Sequence, residues 1–181
     1  MTRPLVILID DDEAFLGAMR RTLRRQKYEL LALNGDLSLL TELSGRVPSV
    51  AVVDWHLAHG NASPLIVALT ETHPMCPIIV HSGDVRPEER TLAARAGAWR
   101  WVSKLEGALL ASHVAQALEE GQRRRKGEGM PTMAEIQTRA IVGAMVRFNG
   151  NRRRAAENLG LSTAQFYRLR KKLGIEWNDA A

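Results

Sequence analysis

The stretch LVILIDDD, residues 5–12, joins an apolar run of five residues to three consecutive aspartates. A run of this length is typical of a fully buried strand, and the acids mark the point where the strand ends. Four further short apolar runs follow before residue 104, separated by segments of helical periodicity. This alternation predicts an α/β fold whose mostly parallel sheet is covered by helices on both faces.

The predicted strands and helices fill the first 120 residues. The strands are expected at Leu5–Asp10, Tyr28–Leu33, Val50–Asp54, Pro77–His81 and Trp99–Ser103. The helices are expected at about 14–26, 37–44, 63–72, 87–96 and 106–120. Beyond them, residues 121–132, GQRRRKGEGMPT, are rich in glycine and cations, which predicts the end of the last helix and a flexible connection. We therefore expect one domain at 1–120, a linker at 121–132 and a second, helical domain at 133–181.

Charge is divided unevenly along the chain. Residues 1–118 carry 12 Lys+Arg and 13 Asp+Glu, a net charge of −1, whereas residues 119–181 carry 13 and 7, a net charge of +6. The basic second part favours nucleic acid as its partner over the alternative of a merely solvated basic face. Cys76 is the only cysteine, and no stretch approaches the roughly 18 to 20 apolar residues of a membrane span. We expect a cytoplasmic protein with no intrachain disulfide and no contact with a membrane.

Functional side chains gather at the carboxyl ends of the predicted strands, where ligands bind in open α/β sheets. Asp10 and Asp11 leave the first strand and Asp54 ends the third, an arrangement that favours a hard cation such as Mg²⁺. Ser82 follows the fourth strand and Lys104 follows the fifth. Carboxylates, a hydroxyl and an ammonium at one edge together indicate a phosphoryl-transfer site.

Single members of this set have simpler explanations. Asp12 is expected to cap the first helix, which is the usual task of an acid after a strand. Ser82 with the following Gly83 and Asp84 is also typical of an ordinary turn, and Lys104 of a surface position at a strand end. The joint placement at successive strand ends favours the functional interpretation.

Four segments, LVILIDDDEAFL, AVVDWHLAHGNASPL, IIVHSGD and AGAWRWVSK, resemble the signature segments of response-regulator receiver domains over about the first 120 residues. The resemblance implies a flavodoxin-like, doubly wound, five-stranded parallel sheet in the strand order 2-1-3-4-5. It implies that Asp54 is the phosphorylated aspartate. It further implies that Mg²⁺ is held by Asp10, Asp11, Asp54 and the backbone carbonyl of His56.

The same resemblance gives roles to three later residues. Ser82 would be the switch hydroxyl, Lys104 would pair with the phosphoryl oxygens, and Trp101 would be the aromatic switch, although packing beside Trp99 is the alternative for it. Two positions depart from the family, because Leu105 and Ala58 stand where prolines are usual. These departures bear on activation, yet every chemically obligatory group is present, so phosphorylation is expected.

Residues 149–177, NGNRRRAAENLGLSTAQFYRLRKKLGIEW, predict two short helices joined by a tight turn. Asn151 caps the first helix, Gly160 ends it, and Ser162 with Gln165 forms a capping box for the second. Such a pair is a helix-turn-helix. Its first helix opens on three cations that the helix dipole disfavours and a phosphate backbone would neutralise: Arg152, Arg153 and Arg154. The outer face of its second helix presents Thr163, Ala164, Tyr167, Arg168 and Lys171.

GNRRRAAENLGLS and RLRKKLGI resemble the Fis-type helix-turn-helix, over about 45 residues. This resemblance places Thr163, Gln165 and Arg168 at base-contacting positions, although Gln165 also has its capping role. Arg170 departs from the family, which often has an apolar residue there. A receiver followed directly by a Fis-type module is similar to the RegA, PrrA and ActR group of redox-responsive regulators, from whose pattern Ala62 departs because the group has glycine.

These observations predict a non-enzymatic, DNA-binding response regulator that a sensor histidine kinase phosphorylates at Asp54. Trp99 and Trp101 on the fifth strand, with the family resemblance, lead us to expect a homodimer upon phosphorylation. An alternative is an architectural protein that binds double-stranded DNA and uses its receiver only for dimerisation. A metal-dependent phosphohydrolase is disfavoured, because His56 is the only nearby candidate base and is expected to face solvent.

Overall fold

The computed structural model describes residues 3–23, 27–35, 43, 45–83, 86–128 and 131–175. The chain divides into two compact units, Met1–Gly129 and Met130–Ala181. The predicted helix at 37–44 lies outside the described residues, except for Leu43, which is buried. Among the described residues, no helix has both the length and the apolar character needed to cross a membrane.

A five-stranded parallel sheet forms the centre of the first unit. Its strands are β1 (Leu5–Ile9), β2 (Glu29–Leu33), β3 (Val50–Val53), β4 (Ile78–Ser82) and β5 (Arg100–Ser103). They lie in the order β2-β1-β3-β4-β5, which confirms the predicted order 2-1-3-4-5. Every residue of β1, β3 and β4 is buried, because helices cover both faces of a parallel sheet.

Three helices of the first unit follow the sequence prediction closely, except that residues 24–26 of the first predicted helix lie outside the described residues. They are α1 (Glu13–Leu23), α2 (Ser63–Thr72) and α3 (Pro87–Ala96). Asp12 caps α1, since its Oδ1 accepts hydrogen bonds from the backbone N–H of Ala14 at 2.9 Å and of Phe15 at 3.0 Å. A short antiparallel ribbon, His56–Leu57 with Gly60–Asn61, leads from β3 towards α2. Cys76 is buried, and burial raises the pKa of its thiol to about 12, so it stays protonated.

The last helix of the first unit differs from its predicted span of 106–120. A 3₁₀ helix occupies Lys104–Leu109, and α4 then runs over Leu110–Arg125. Gly121 was expected to end this helix, but it lies inside it, where a Cβ would come within 3.2–3.4 Å of Pro77, Ser49 and Met75. The glycine thus allows close packing at this position and does not mark a break in the helix. Residues 121–125 of the predicted linker are helical.

The second unit consists of three helices in the described residues 131–175. They are α5 (Met133–Arg147), α6 (Arg152–Asn158) and α7 (Thr163–Lys172). A capping box between Thr132 and Glu135 begins α5, and the sequence analysis missed it. A small core joins the helices through Ile141, Val142, Met145, Ala155, Ala156, Phe166 and Ile175.

Candidate functional site

Three carboxylates meet at the carboxyl ends of β1 and β3. These strands are parallel neighbours with Ile9 opposite Val53, so the residues that follow them emerge side by side. Oxygens of Asp10, Asp11 and Asp54 all lie within 4.8 Å of one another. Asp10 is only 2% exposed and Asp54 only 7%, whereas Asp11 is exposed. The structure thus brings together the acids that the sequence placed at the ends of separate strands.

Lys104 joins two of these carboxylates from the end of β5. Its Nζ lies 2.9 Å from Oδ2 of Asp10 and 2.9 Å from Oδ2 of Asp54. The same ammonium lies 4.4 Å from the ring centroid of Phe15, close enough for a cation–π contact. One cation therefore partly neutralises two nearly buried anions.

Burial and the contacts of Lys104 together set the pKa values at this site. Burial raises the pKa of Asp10, as does the charge of Asp54, and the hydrogen bond from Lys104 only partly opposes this shift. Burial lowers the pKa of Lys104, but hydrogen bonds to Asp10 and Asp54 outweigh it, so the pKa is raised overall. The pKa of Asp10 is thus raised mainly by burial, and that of Lys104 is raised by its two carboxylate partners. A further cation beside Asp10 would favour its ionised form against this burial.

The donor set fits a divalent cation that prefers oxygen. Carboxylates of Asp10, Asp11 and Asp54 are hard ligands, and their 4.8 Å grouping lets one ion contact all three. His56 lies two residues beyond Asp54, at the start of the antiparallel ribbon. The role of its backbone carbonyl as a further ligand stays a prediction.

Ser82 contacts an imidazole ring at the end of β4. Its Oγ is buried and lies 3.4 Å from Nδ1 of His56. On the other side of the ring, Nε2 lies 3.3 Å from Oε1 of Glu89, in the first turn of α3. Glu89 also pairs with Arg86, at 2.9 Å. The His56 side chain is 46% exposed, so it faces solvent in part, yet it also links the serine to α3.

Two tryptophans pack together next to Asp54, the predicted phospho-acceptor. Trp55 directly follows Asp54 and is fully buried, and its ring centroid lies 5.5 Å from that of Trp101. The sequence analysis assigned Trp101 but missed Trp55, although a tryptophan beside an aspartate at the end of a buried strand was visible. The proposed aromatic switch is thus in contact with the residue next to Asp54.

His81 is a second residue that the sequence analysis missed. It is 1% exposed, and its ring packs against Phe15 with centroids 5.4 Å apart. Neither ring nitrogen has a hydrogen-bond partner among the described residues. Burial lowers the pKa of His81 to about 4, with a smaller contribution from the charge of Lys104, so the ring is neutral near pH 7. A histidine inside the apolar run IIVHS was the available signal.

The second unit presents the predicted helix-turn-helix. Asn151 accepts a hydrogen bond from the backbone N–H of Arg154 at 3.1 Å, and Gly160 adopts a φ of +67° after α6. Ser162 and Gln165 form the predicted capping box at the start of α7. The Oε1 atom of Gln165 accepts hydrogen bonds from the N–H and hydroxyl of Ser162, each at 2.9 Å. The side-chain oxygen of Gln165 is therefore engaged in the cap. The other two predicted base-contacting residues, Thr163 and Arg168, have no such role.

Most of the predicted DNA-binding side chains are exposed. On α7 these are Thr163, Tyr167, Arg168 and Lys171, and on α6 they are Arg153 and Arg154. Arg152 is partly buried and instead donates through Nη1 to the hydroxyl of Tyr167 at 3.2 Å. The exposed cations form a surface that a polyanion can reach.

Two family matches cover most of the chain. Residues 6–114 match the response regulator receiver domain, and residues 132–173 match the family of bacterial regulatory proteins named Fis. The photosynthetic apparatus regulatory protein RegA from Cereibacter sphaeroides is 28% identical over 130 residues, and RegA from Rhodobacter capsulatus gives the same figures. The alignment spans 72% of this chain and 66% of each RegA protein, just under two thirds of their length.

Solved structures agree on the fold. The signal receiver domain of an HD domain-containing protein from Pseudomonas fluorescens Pf-5 has a TM-score of 0.63 at 22% identity, covering 70% of this chain and 94% of its own. A response regulator protein from Burkholderia pseudomallei, with a phosphorylated aspartic acid, calcium ion and citrate, has a TM-score of 0.57 at 21% identity. That match covers 91% of this chain and 97% of the other. At these identities the likeness concerns the fold alone.

Proposed function

Because the chain belongs to the response regulator receiver family, we propose that it is a DNA-binding transcription factor controlled by phosphorylation of Asp54. The proposed phosphoryl donor is a sensor histidine kinase, and the proposed ligand of the second unit is double-stranded DNA. The Fis-family match at residues 132–173 supports the DNA partner. The observation that carries the acceptor role is the position of Asp54, nearly buried among two further carboxylates and 2.9 Å from the ammonium of Lys104.

The proposed transfer uses groups already in place. A carboxylate oxygen of Asp54 attacks phosphorus, the bond from phosphorus to the donor's imidazole nitrogen breaks, and the imidazole takes up a proton. Lys104 then pairs with the phosphoryl oxygens, and the hydroxyl of Ser82 turns towards them. The contacts of Lys104 with Asp10 and Asp54, and of Ser82 with His56, would be exchanged for contacts with the phosphoryl group.

We assign the metal position to Asp10, Asp11, Asp54 and the backbone carbonyl of His56. Bound Mg²⁺ would supply positive charge to the phosphoryl oxygens as the transfer proceeds. The three carboxylates alone place several negative charges where the incoming phosphoryl group adds more. By binding the ion, Asp10 and Asp11 would hold the positive charge of Mg²⁺ close to the attacking carboxylate oxygen of Asp54.

The domain division proposed from the sequence needs one adjustment. We place the phospho-acceptor domain in the first unit and the DNA-binding domain in the second. Because α4 continues to Arg125 and α5 begins at Met133, the connection is limited to residues 126–132. A DNA partner places the proposed action in the cytoplasm.

Phosphorylation-dependent footprinting on source-genome DNA tests this function. With a beryllofluoride phosphoryl mimic, the protein should protect defined sites at lower concentrations than without it, and Asp54→Asn should abolish the difference. Equal protection in all samples would favour the alternative, an architectural DNA-binding protein whose receiver serves only for dimerisation. Multiple turnover of a phosphoester would instead indicate a metal-dependent phosphohydrolase, which we do not propose.

A further inference from the structure

Two guanidinium groups lie over the ring of Tyr167. Arg152, the first residue of α6, has its Cζ 5.8 Å from the ring centroid, and its Nη1 donates to the hydroxyl at 3.2 Å. Arg170, three residues further along α7, has its Cζ 5.5 Å from the same centroid. A guanidinium within about 6 Å of an aromatic centroid is attracted by the electron-rich face. Tyr167 therefore holds one arginine from each helix of the helix-turn-helix.

The charges around this group point to an anionic ligand. Helices α6 and α7 together carry seven Lys+Arg and one acidic residue, Glu157, which pairs with Arg153 at 3.7 Å. Within the described residues 131–175, the Tyr167 ring is the only side-chain partner recorded for Arg170. Because both guanidinium groups lie within 6 Å of the same ring centroid, a phosphate bound beside that ring would be attracted by both charges.

We propose that Arg152 and Arg170 form a clamp for one phosphate of the DNA backbone, and that Tyr167 positions the clamp without reading bases. The proposal rests on the DNA-binding function proposed above and adds Arg170, which the sequence analysis treated only as a departure from its family. Guanidinium groups bind phosphate oxygens through paired N–H donors, and holding them in place beforehand reduces the ordering cost of binding. An aromatic ring that contacts both cations supplies that order.

A neutral substitution tests the clamp through the salt dependence of binding. Full-length protein would be titrated with duplex DNA across a salt series. Tyr167→Leu removes the ring but no charge, and we expect the slope of log K against log salt to decrease in magnitude by about 0.9, the value for one phosphate contact. Tyr167→Phe keeps the ring face but loses the hydroxyl that accepts from Arg152, so its slope should lie between those of the wild type and Tyr167→Leu. Tyr167 is 40% exposed, and an unchanged melting temperature would establish that Tyr167→Leu is folded.

Arg170→Leu provides the matched test of the cation. Its slope should decrease by the same amount, and the double variant Tyr167→Leu/Arg170→Leu should lose no more than either single variant, because both act on one contact. A wild-type slope in folded Tyr167→Leu would overturn the clamp while leaving DNA binding intact. If the wild-type protein fails to bind any duplex, the proposed function and the clamp both fail. A slope change on single-stranded RNA alone would overturn the assignment to duplex DNA.

Discussion

The Nζ atom of Lys104 lies 2.9 Å from Oδ2 of Asp54, although 50 residues separate them in the chain. This contact pairs the proposed nucleophile with the cation that would later hold the phosphoryl group. The ammonium is also shared with Asp10, so the site has two nearly buried carboxylates for one positive side chain. A phosphoryl group or a metal ion entering the site must therefore redistribute these contacts.

Asp54→Asn should prevent labelling by acetyl phosphate in the presence of Mg²⁺. The substitution removes the nucleophilic carboxylate but changes little volume, and the amide oxygen can still accept a hydrogen bond from Lys104. Mass spectrometry of intact protein would measure the label, and circular dichroism would check the fold. Undiminished labelling of the variant at another residue would contradict the assignment of Asp54.

Asp11→Ala should weaken Mg²⁺ binding by at least about tenfold, because it removes an oxygen ligand from a site that binds the ion weakly even when intact. Asp12→Ala is the matched control. Asp12 is the neighbouring acid, but its carboxylate caps α1, so its loss should cost about 1 kcal/mol of stability and leave Mg²⁺ affinity unchanged. Titration calorimetry would separate the two variants, and equal Mg²⁺ affinity in Asp11→Ala and the wild type would refute the ligand role.

His81 should make the first unit less stable as the pH falls from neutral. Its pKa is about 4 in the folded protein against 6.5 when exposed, so the unfolded chain binds the proton more readily. The stabilisation is complete above pH 6.5 and is lost as the pH falls towards 4, by at most on the order of 3 kcal/mol. Urea unfolding of wild type and His81→Leu at pH 7 and pH 5 measures this contribution, and the variant should lose less stability between the two. Identical losses in both proteins would exclude His81 as the cause.

Phosphorylation should promote a dimer through the face formed by α3, β5 and α4. Trp99 and Trp101 lie there, and Arg100 stacks over the Trp99 ring at 4.3 Å. Aromatic and arginine side chains are enriched at protein interfaces. Light scattering should show about twice the monomer mass with beryllofluoride, and Asp54→Asn should keep the unactivated mass. The same oligomer with and without the mimic would contradict this coupling.

Substitutions in the two helices of the helix-turn-helix should affect DNA binding in different ways. Arg153→Ala should weaken binding to matched and scrambled duplexes alike and reduce the salt slope by close to 0.9, because α6 is expected to cross the phosphate backbone. Arg168→Ala should cost about 1 to 3 kcal/mol on the preferred site and much less on random DNA, if it contacts guanine. The preferred site should be an inverted repeat with half-sites about 10 bp apart. Equal losses on both duplexes for Arg168→Ala would reduce it to a phosphate contact and leave base readout to Thr163.

Local features of this chain could be predicted because they depend on residues close in sequence. The cap at Asp12, the cap at Asn151 and the capping box of Ser162 with Gln165 each join groups two or three residues apart. Apolar runs also predicted where the strands lie, and the acids after β1 and β3 predicted the carboxylate cluster. These predictions required only backbone hydrogen bonding and the geometry of a parallel sheet.

The length of α4 could not be predicted in the same way. Glycine usually disfavours a helix interior, but at Gly121 an added Cβ would lie only 3.2 Å from Pro77 and 3.3 Å from the backbone of Ser49, which is tighter than usual. Here the helix continues through the glycine, whose lack of a side chain permits the close contact. The contacts of Gly121 are with segments more than 40 residues away, and local sequence carries no information about them.

The sequence by itself determined the order of the elements, their caps and the residue types available at each strand end. Only the tertiary structure decided which groups share a partner: Lys104 joins Asp10 to Asp54, His56 links Ser82 to Glu89, and Tyr167 holds Arg152 beside Arg170. Those pairings depend on side-chain rotamers and on the packing of segments far apart in the chain. Periodicity reports which face of an element is buried, but it carries no information about what that face meets.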